Sequence, residues 1–152
     1  MGSINQKDYY NKVIKVIKDN NAVNMVEFCG MQEDVHKFLK HADAAIIASL
    51  SEGFGFCMAE AMFDECVVIG NDQCSGTHQQ FENGLAFTGK EIGYRYTKRD
   101  ELTKALIMAE QNDNTEMIRN AWATVNGMYT QEKNFETLYS YYNYILENER
   151  KN

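Results

Sequence analysis

Ala44-Ala45-Ile46-Ile47-Ala48-Ser49-Leu50-Ser51-Glu52-Gly53-Phe54-Gly55-Phe56-Cys57-Met58-Ala59-Glu60-Ala61-Met62 is the stretch that decides the fold. It opens on five apolar residues in a row, Ala44–Ala48, with no polar alternation. Such a run suits a strand covered on both faces, as in a parallel sheet. A loop carrying Gly53 and Gly55 follows, and a helix is predicted through Met62. Cys66-Val67-Val68-Ile69 is a second apolar run, closed by Gly70-Asn71-Asp72. Strand, loop, helix and strand in this order form one unit of an α/β fold.

The pattern extends in both directions. Upstream, Tyr10, Val13, Ile14 and Ile17 fall at helical spacing, which predicts a helix over Tyr9–Lys18. Met25–Cys29 is short, apolar and followed by Gly30, and reads as a strand. Val35, Phe38 and Leu39 mark a helix with the acidic pair Glu33-Asp34 in its first turn, where the helix dipole favours it. Downstream, a polar stretch leads to Gly84–Phe87, which reads as a fourth short strand. From Lys98 the pattern is helical, with stripes Leu102/Ala105/Leu106/Ala109, Met117/Ile118/Ala121/Val125 and Phe135/Leu138/Tyr142/Ile145. The expected fold class is α/β: a Rossmann-like parallel sheet flanked by helices, with a helical C-terminal end. At 152 residues, one domain over 1–152 is the default.

Composition excludes several roles. A formal net charge of −7 disfavours a nucleic-acid partner, which needs a basic face. No apolar run approaches the ~20 residues of a membrane span, and the N-terminus has no secretory core. Met1-Gly2-Ser3 reads as an appended remnant. Cys29, Cys57, Cys66 and Cys74 lack C-x-x-C spacing and read as reduced thiols, which implies a cytoplasmic setting. His36, His41 and His78 have no zinc-like spacing and read as surface or loop residues. There is no proline, so Gly, Asn, Asp and Ser make the turns.

The loop carries the chemistry. Ligands of open α/β sheets bind beyond the C-terminal ends of the strands. Glycines let the backbone approach a ligand closely, and free N–H groups at a helix start attract phosphate without any net positive charge. Glu52 and Glu60, seven residues between them, flank this phosphate cradle. A carboxylate is repelled by phosphate, but it accepts hydrogen bonds from hydroxyls. Two glutamates beside the cradle therefore fit a diphosphate with a hydroxylated ring at each end, which describes a nucleotide sugar.

The string Ser51–Met62 resembles the Glu-x7-Glu signature of the family 4 (group 1) glycosyltransferases, retaining enzymes of GT-B fold. Val26-Glu27-Phe28-Cys29-Gly30, Ala42-Asp43-Ala44, Val67-Val68-Ile69-Gly70 and Asn83-Gly84-Leu85 are similar to its flanking motifs in the same order. The resemblance implies part of the C-terminal, nucleotide-sugar-binding half of a GT-B fold, and a hexosyl- or other glycosyltransferase activity. It implies that Glu52 is catalytic and contacts the donor sugar, and that Gly53, Phe54, Gly55 and Phe56 offer N–H groups to the sugar or diphosphate. Glu60 would bind the ribose and Met31 would lie near the base. The donor is a substrate, and neither cofactor nor metal is implied.

Three departures bear on activity. Asp64-Glu65-Cys66-Val67 lacks the usual Gly and Pro, and Gln79 stands for the usual Glu in a loop holding Gly76, Thr77 and His78. No Lys or Arg lies between Lys40 and Lys90, whereas the family places an Arg and a Lys, upstream of the resembling stretch, on the leaving diphosphate. The implied partners are a nucleotide sugar and an N-terminal acceptor domain or another chain; little turnover is expected from these residues alone. Two strands of the family's sheet have no counterpart here, so open sheet edges would invite a homo-oligomer. The rival readings are a non-catalytic nucleotide-sugar-binding module, a GT-B nucleotide-sugar epimerase, and an α/β interaction domain in which both glutamates are incidental.

Overall fold

The computed structural model describes residues 7–149; Met1-Gly2-Ser3 lies outside them. The chain divides into two compact units, Met1–Lys37 and Phe38–Asn152.

In the first unit, helix α1 (Lys7–Asp19) forms over the predicted periodic stretch. Asn21, in the left-handed region at φ 55°, ends the turn that follows. The Tyr10 ring meets Phe28 edge-on, with centroids 5.1 Å apart. The strand expected over Met25–Cys29 does not form. Val23–Met25 is a 3-10 turn, and residues 26–30 are irregular. Val26 has extended dihedrals, but among the described residues no strand lies beside it to complete a ladder. The run leaves Met25 84% exposed. Its apolar residues supply local packing, as Phe28 shows, and not a sheet position. A four-residue turn, α2 (His36–Leu39), spans the division between the units. Asp34 precedes it and accepts a hydrogen bond from the His36 N–H at 3.0 Å.

The second unit is a parallel three-stranded sheet, order β1-β2-β3, with β1 at Ala44–Ile47, β2 at Val67–Asn71 and β3 at Tyr94–Tyr96. Ala44 pairs with Val67 and Ile47 with Gly70; Ile69 pairs with Tyr94 and Asn71 with Tyr96. Every residue of β2 is buried, as a central parallel strand requires. Helices α3 (Phe56–Phe63), α4 (Ser75–Thr88), α5 (Arg99–Gln111), α6 (Thr115–Met128) and α7 (Gln131–Glu149) complete it. The core joins Ile47, Val68, Met58, Met62, Phe81, Ile92, Ala121 and Val125. Phe81 is fully buried, a contribution of roughly 1.5–3 kcal/mol for such a side chain. This is the expected Rossmann-like α/β arrangement with a helical C-terminal end.

Two expectations downstream of β2 need correction. The polar stretch holding Gly76, Thr77, His78 and Gln79 is not a loop, and Gly84–Phe87 is not a strand; both belong to α4. The buried positions of α4 are Gly76, Thr77, Gln80, Phe81 and Gly84, a helical stripe made mostly of small and polar residues. Gly84 is there for closeness, since a Cβ on it would come 2.5 Å from Ile92 Cδ1. The third strand is Tyr94–Tyr96 instead.

Candidate functional site

Because β1 and β2 run parallel, the segments after Ile47 and after Asn71 emerge at the same C-terminal edge of the sheet. Residues 48–55 cross from β1 to α3, and residues 72–74 from β2 to α4. The predicted residues Glu52, Gly53, Phe54, Gly55, Phe56 and Glu60 all lie in the first crossing or in α3. Met31, 68% exposed, belongs to the first unit.

The crossing is held by polar groups at the end of β2 and on α4. Asn71 is buried at the end of β2; its Nδ2 donates to the Ser49 carbonyl at 3.0 Å, and its Oδ1 accepts from the Gln73 N–H at 3.1 Å. The Glu52 carbonyl accepts from the Gly76 N–H and from Ser75 Oγ, each at 3.2 Å. Gln80, fully buried, donates through Nε2 to the Phe54 carbonyl and, at 2.9 Å, to the Gly55 carbonyl. A Cβ on Gly76 would meet Glu52 O at 2.8 Å and Phe54 O at 2.9 Å. Gly76 thus permits α4 to lie directly on the loop.

With its carbonyls turned inward, the loop presents its amides. Among the described residues, none of the N–H groups from Gly53 to Cys57 donates a hydrogen bond. Gly55 caps α3 in the left-handed region, at φ 85° and ψ 61°, which a Cβ would strain. Phe54 packs edge-on against Phe56 at 5.2 Å and Tyr129 at 4.9 Å between ring centroids. Tyr129 accepts a hydrogen bond from Asn83 Nδ2, and burial pushes its phenol up from its ordinary value. Phe54 is therefore a packing residue, whereas Phe56 stays 72% exposed.

The two carboxylates differ in support. Glu52 is half-buried, and its Oε1 accepts from Ser49 Oγ at 2.8 Å. Helix α3 buries Met58, Ala61 and Met62, so the 100° step per residue sets Glu60 on the opposite face with Phe56 and Phe63. Glu60 forms no ion pair among the described residues.

A charged cluster flanks α4 on its β3 side. Arg95, on β3, contacts Glu82 at 2.5 Å, Glu91 at 3.3 Å and Asp72 at 3.8 Å, and its guanidinium lies 4.9 Å from the Phe81 ring centroid. Burial alone would lower its pKa; the Glu82 hydrogen bond and the three carboxylate charges outweigh that and raise it. Glu82 is held below its ordinary value, first by that hydrogen bond and then by the Arg95 charge. Asp72 also contacts His78 Nδ1 at 3.0 Å. His78 is exposed, as expected, although it sits on α4 and not in a loop.

Comparison with known proteins bears on the family and the fold. A family profile for Glycosyl transferases group 1 matches residues 1–124. The chain belongs to the group 1 glycosyltransferases. A relative from Methanocaldococcus jannaschii, the uncharacterized glycosyltransferase MJ1059, is 33% identical over 94 residues, which cover 62% of this chain and 23% of that protein. Two crystal structures of Anabaena Alr3699/HepE, one in complex with UDP and glucose and one with UDP, superpose on this chain with TM-scores of 0.71 at 22% identity. Each match covers 91% of this chain and 39% of the other. This group 1 chain thus spans less than half the length of these proteins, and its α/β fold matches part of theirs.

Sequence reading located the loop and both glutamates but missed Asn71, Gly76 and Gln80 as its supports. An Asn-Asp turn and a polar helix carry no hydrophobic period. Their one signal is small and amide residues at helical spacing, Gly76, Gln80 and Gly84.

Proposed function

We propose that these 152 residues form the donor-binding, C-terminal domain of a retaining GT-B glycosyltransferase, taking a nucleotide-diphosphate sugar and passing its hexose to an acceptor held elsewhere. The observation that carries this reading is the run of unpaired N–H groups from Gly53 to Cys57 at the C-terminal edge of a parallel sheet, flanked by Glu52 and Glu60. Backbone N–H groups there suit a diphosphate, and they act without a metal. Glu60 is free to accept from the ribose hydroxyls. Glu52, steadied by Ser49, is placed to accept from the sugar as charge develops at the anomeric carbon. UDP bound to Alr3699/HepE makes UDP-glucose the first donor to try.

The same arrangement accounts for a division of labour. Departure of a nucleoside diphosphate leaves extra negative charge on the β-phosphate, and fixed positive groups lower that barrier. Residues 41–89 hold no Lys or Arg, and Arg95 already faces three carboxylates. Transfer therefore draws on an acceptor domain or a partner chain, in a cytoplasmic setting. These missing cations also favour the second reading, a nucleotide-sugar-binding module without turnover.

Titration calorimetry of the chain with UDP, GDP and ADP and their glucose conjugates tests the site. Saturable binding of one diphosphate, tighter than its nucleoside, is expected. No binding to any of them overturns the reading. Product analysis with the acceptor domain present separates transfer from epimerisation and from binding alone.

A further inference from the structure

We propose that Gln80 is the positioning residue of the donor diphosphate: it touches no ligand, but it aims the amides that do. This rests on the reading of the loop given above. Gln80 is fully buried on α4, remote in sequence from the loop, and its Nε2 donates to the carbonyls of both Phe54 and Gly55. An amide nitrogen carries two protons, one for each carbonyl. The reverse orientation would set Oε1 against two acceptors, so the chemistry of the partners fixes which end faces the loop. Oε1 is then left buried without a donor. A methionine or leucine would fill the same volume with no orphaned atom. The two donated hydrogen bonds are what distinguish glutamine here.

Their effect passes through the backbone. In a planar trans peptide, the C=O and the following N–H point in opposite directions. Drawing the Phe54 and Gly55 carbonyls onto α4 therefore turns the N–H groups of Gly55 and Phe56 away from α4, to the open side of the loop. Gly55 is left-handed and Phe56 begins the helix; such alternation lines successive N–H groups into a concave anion site. A Cβ on Gly55 would also lie 3.2 Å from Gln80 Nε2, so the two residues depend on each other. Gln80 thereby confers affinity for the phosphates in particular, and not for the nucleoside.

Gln80→Met keeps the volume and removes both donors. Calorimetry compares it with the unaltered chain on UDP, GDP, ADP and the three matching nucleosides. Diphosphate affinity should fall about tenfold, the equivalent of one lost hydrogen bond at two amides, with nucleoside affinity unchanged. Equal losses on both ligand classes, or no loss on either, overturn the proposal, because a purely structural role would not separate them. If Gln80→Met does not fold, NMR on the unaltered chain decides: the Gly55 and Phe56 amide protons should move downfield with the diphosphate and not with the nucleoside, and their failure to do so overturns it. An unaltered chain that binds none of the six compounds refutes the reading of the site itself and leaves Gln80 no ligand to position.

Discussion

Gly76→Ala tests whether α4 and the glycine loop form one rigid assembly. The added Cβ would lie 2.8 Å from Glu52 O and 2.9 Å from both the carbonyl carbon and oxygen of Phe54. All three are backbone atoms, so no side chain can swing aside. Either α4 shifts or the loop does, and the loop is tied to α4 by Gly76 N–H, Ser75 Oγ and Gln80. Overpacking of this kind costs about 1–3 kcal/mol, while Gly-to-Ala in a helix returns up to ~1 kcal/mol. Position 76 lies in the first turn of α4, where that return is reduced. The net loss is about 1–2 kcal/mol, or a fall in Tm of about 2–8 °C for a chain of this size. Gly53→Ala is the control, since a Cβ there meets nothing within 4 Å; its effect should stay within about 0.5 kcal/mol. Urea and thermal unfolding measure both, and calorimetry with a nucleoside diphosphate should show weaker binding for Gly76→Ala. A Gly76→Ala chain as stable as the unaltered one, with the same affinity, would refute the claim that α4 sets the loop.

Four other outcomes are expected. Glu60→Ala should weaken nucleoside-diphosphate binding about tenfold, because charge-assisted hydrogen bonds contribute roughly 1.5–3 kcal/mol and the site is half open; calorimetry reads this. Glu52→Ala should spare the bare diphosphate and weaken the sugar-bearing donor, and equal losses on both would remove its sugar role. A thiol titration should find Cys57 fast and Cys29 slower, with buried Cys66 and Cys74 reacting only in denaturant; burial also raises the Cys66 thiol, followed by the nearby Asp64 and Asp43 charges. Glu82 is held below its ordinary carboxylate value by Arg95, so its contribution is complete above that value and is lost as pH falls through the depressed one. Melting curves from about pH 6 to pH 3 should lose this increment on the acid side, and Glu82→Gln should flatten that limb.

How far the sequence could be read depended on which residues carried the signal. Ala44–Ile47 was legible as a strand from its continuous apolar run, but as an edge strand it is not covered on both faces and leaves Ile46 47% exposed. The second strand was legible over Val67–Ile69 but extends to Asn71, where a buried polar side chain continues the ladder because it pairs with Ser49. Met25–Cys29 shows the opposite case: a short, mostly apolar run is not a strand without a neighbour. Glu52 and Glu60 were singled out from chemistry, since carboxylates beside a proposed phosphate cradle need some other partner. The orientation of the loop was not, since it rests on Gly76 and Gln80, whose partners lie 22 to 26 positions away.

The error at Gly84–Phe87 points to the same physical cause. Gly-Leu-Ala-Phe looks like a strand when hydrophobicity is read by itself, yet Gly84 serves to let Ile92 approach α4. Across the second unit, small and amide residues sit where α4 must touch backbone: Gly76 on the glycine loop, Gly70 under Thr77 and Phe81, Gln80 on two carbonyls. A bulkier, more apolar α4 would be easier to recognise and would stand farther from the sheet edge. The loop would then lose the contacts that turn its carbonyls inward, and with them the exposed amides from which the proposed donor site is built. The part of the fold hardest to read is therefore the part on which the proposed ligand binding would depend most.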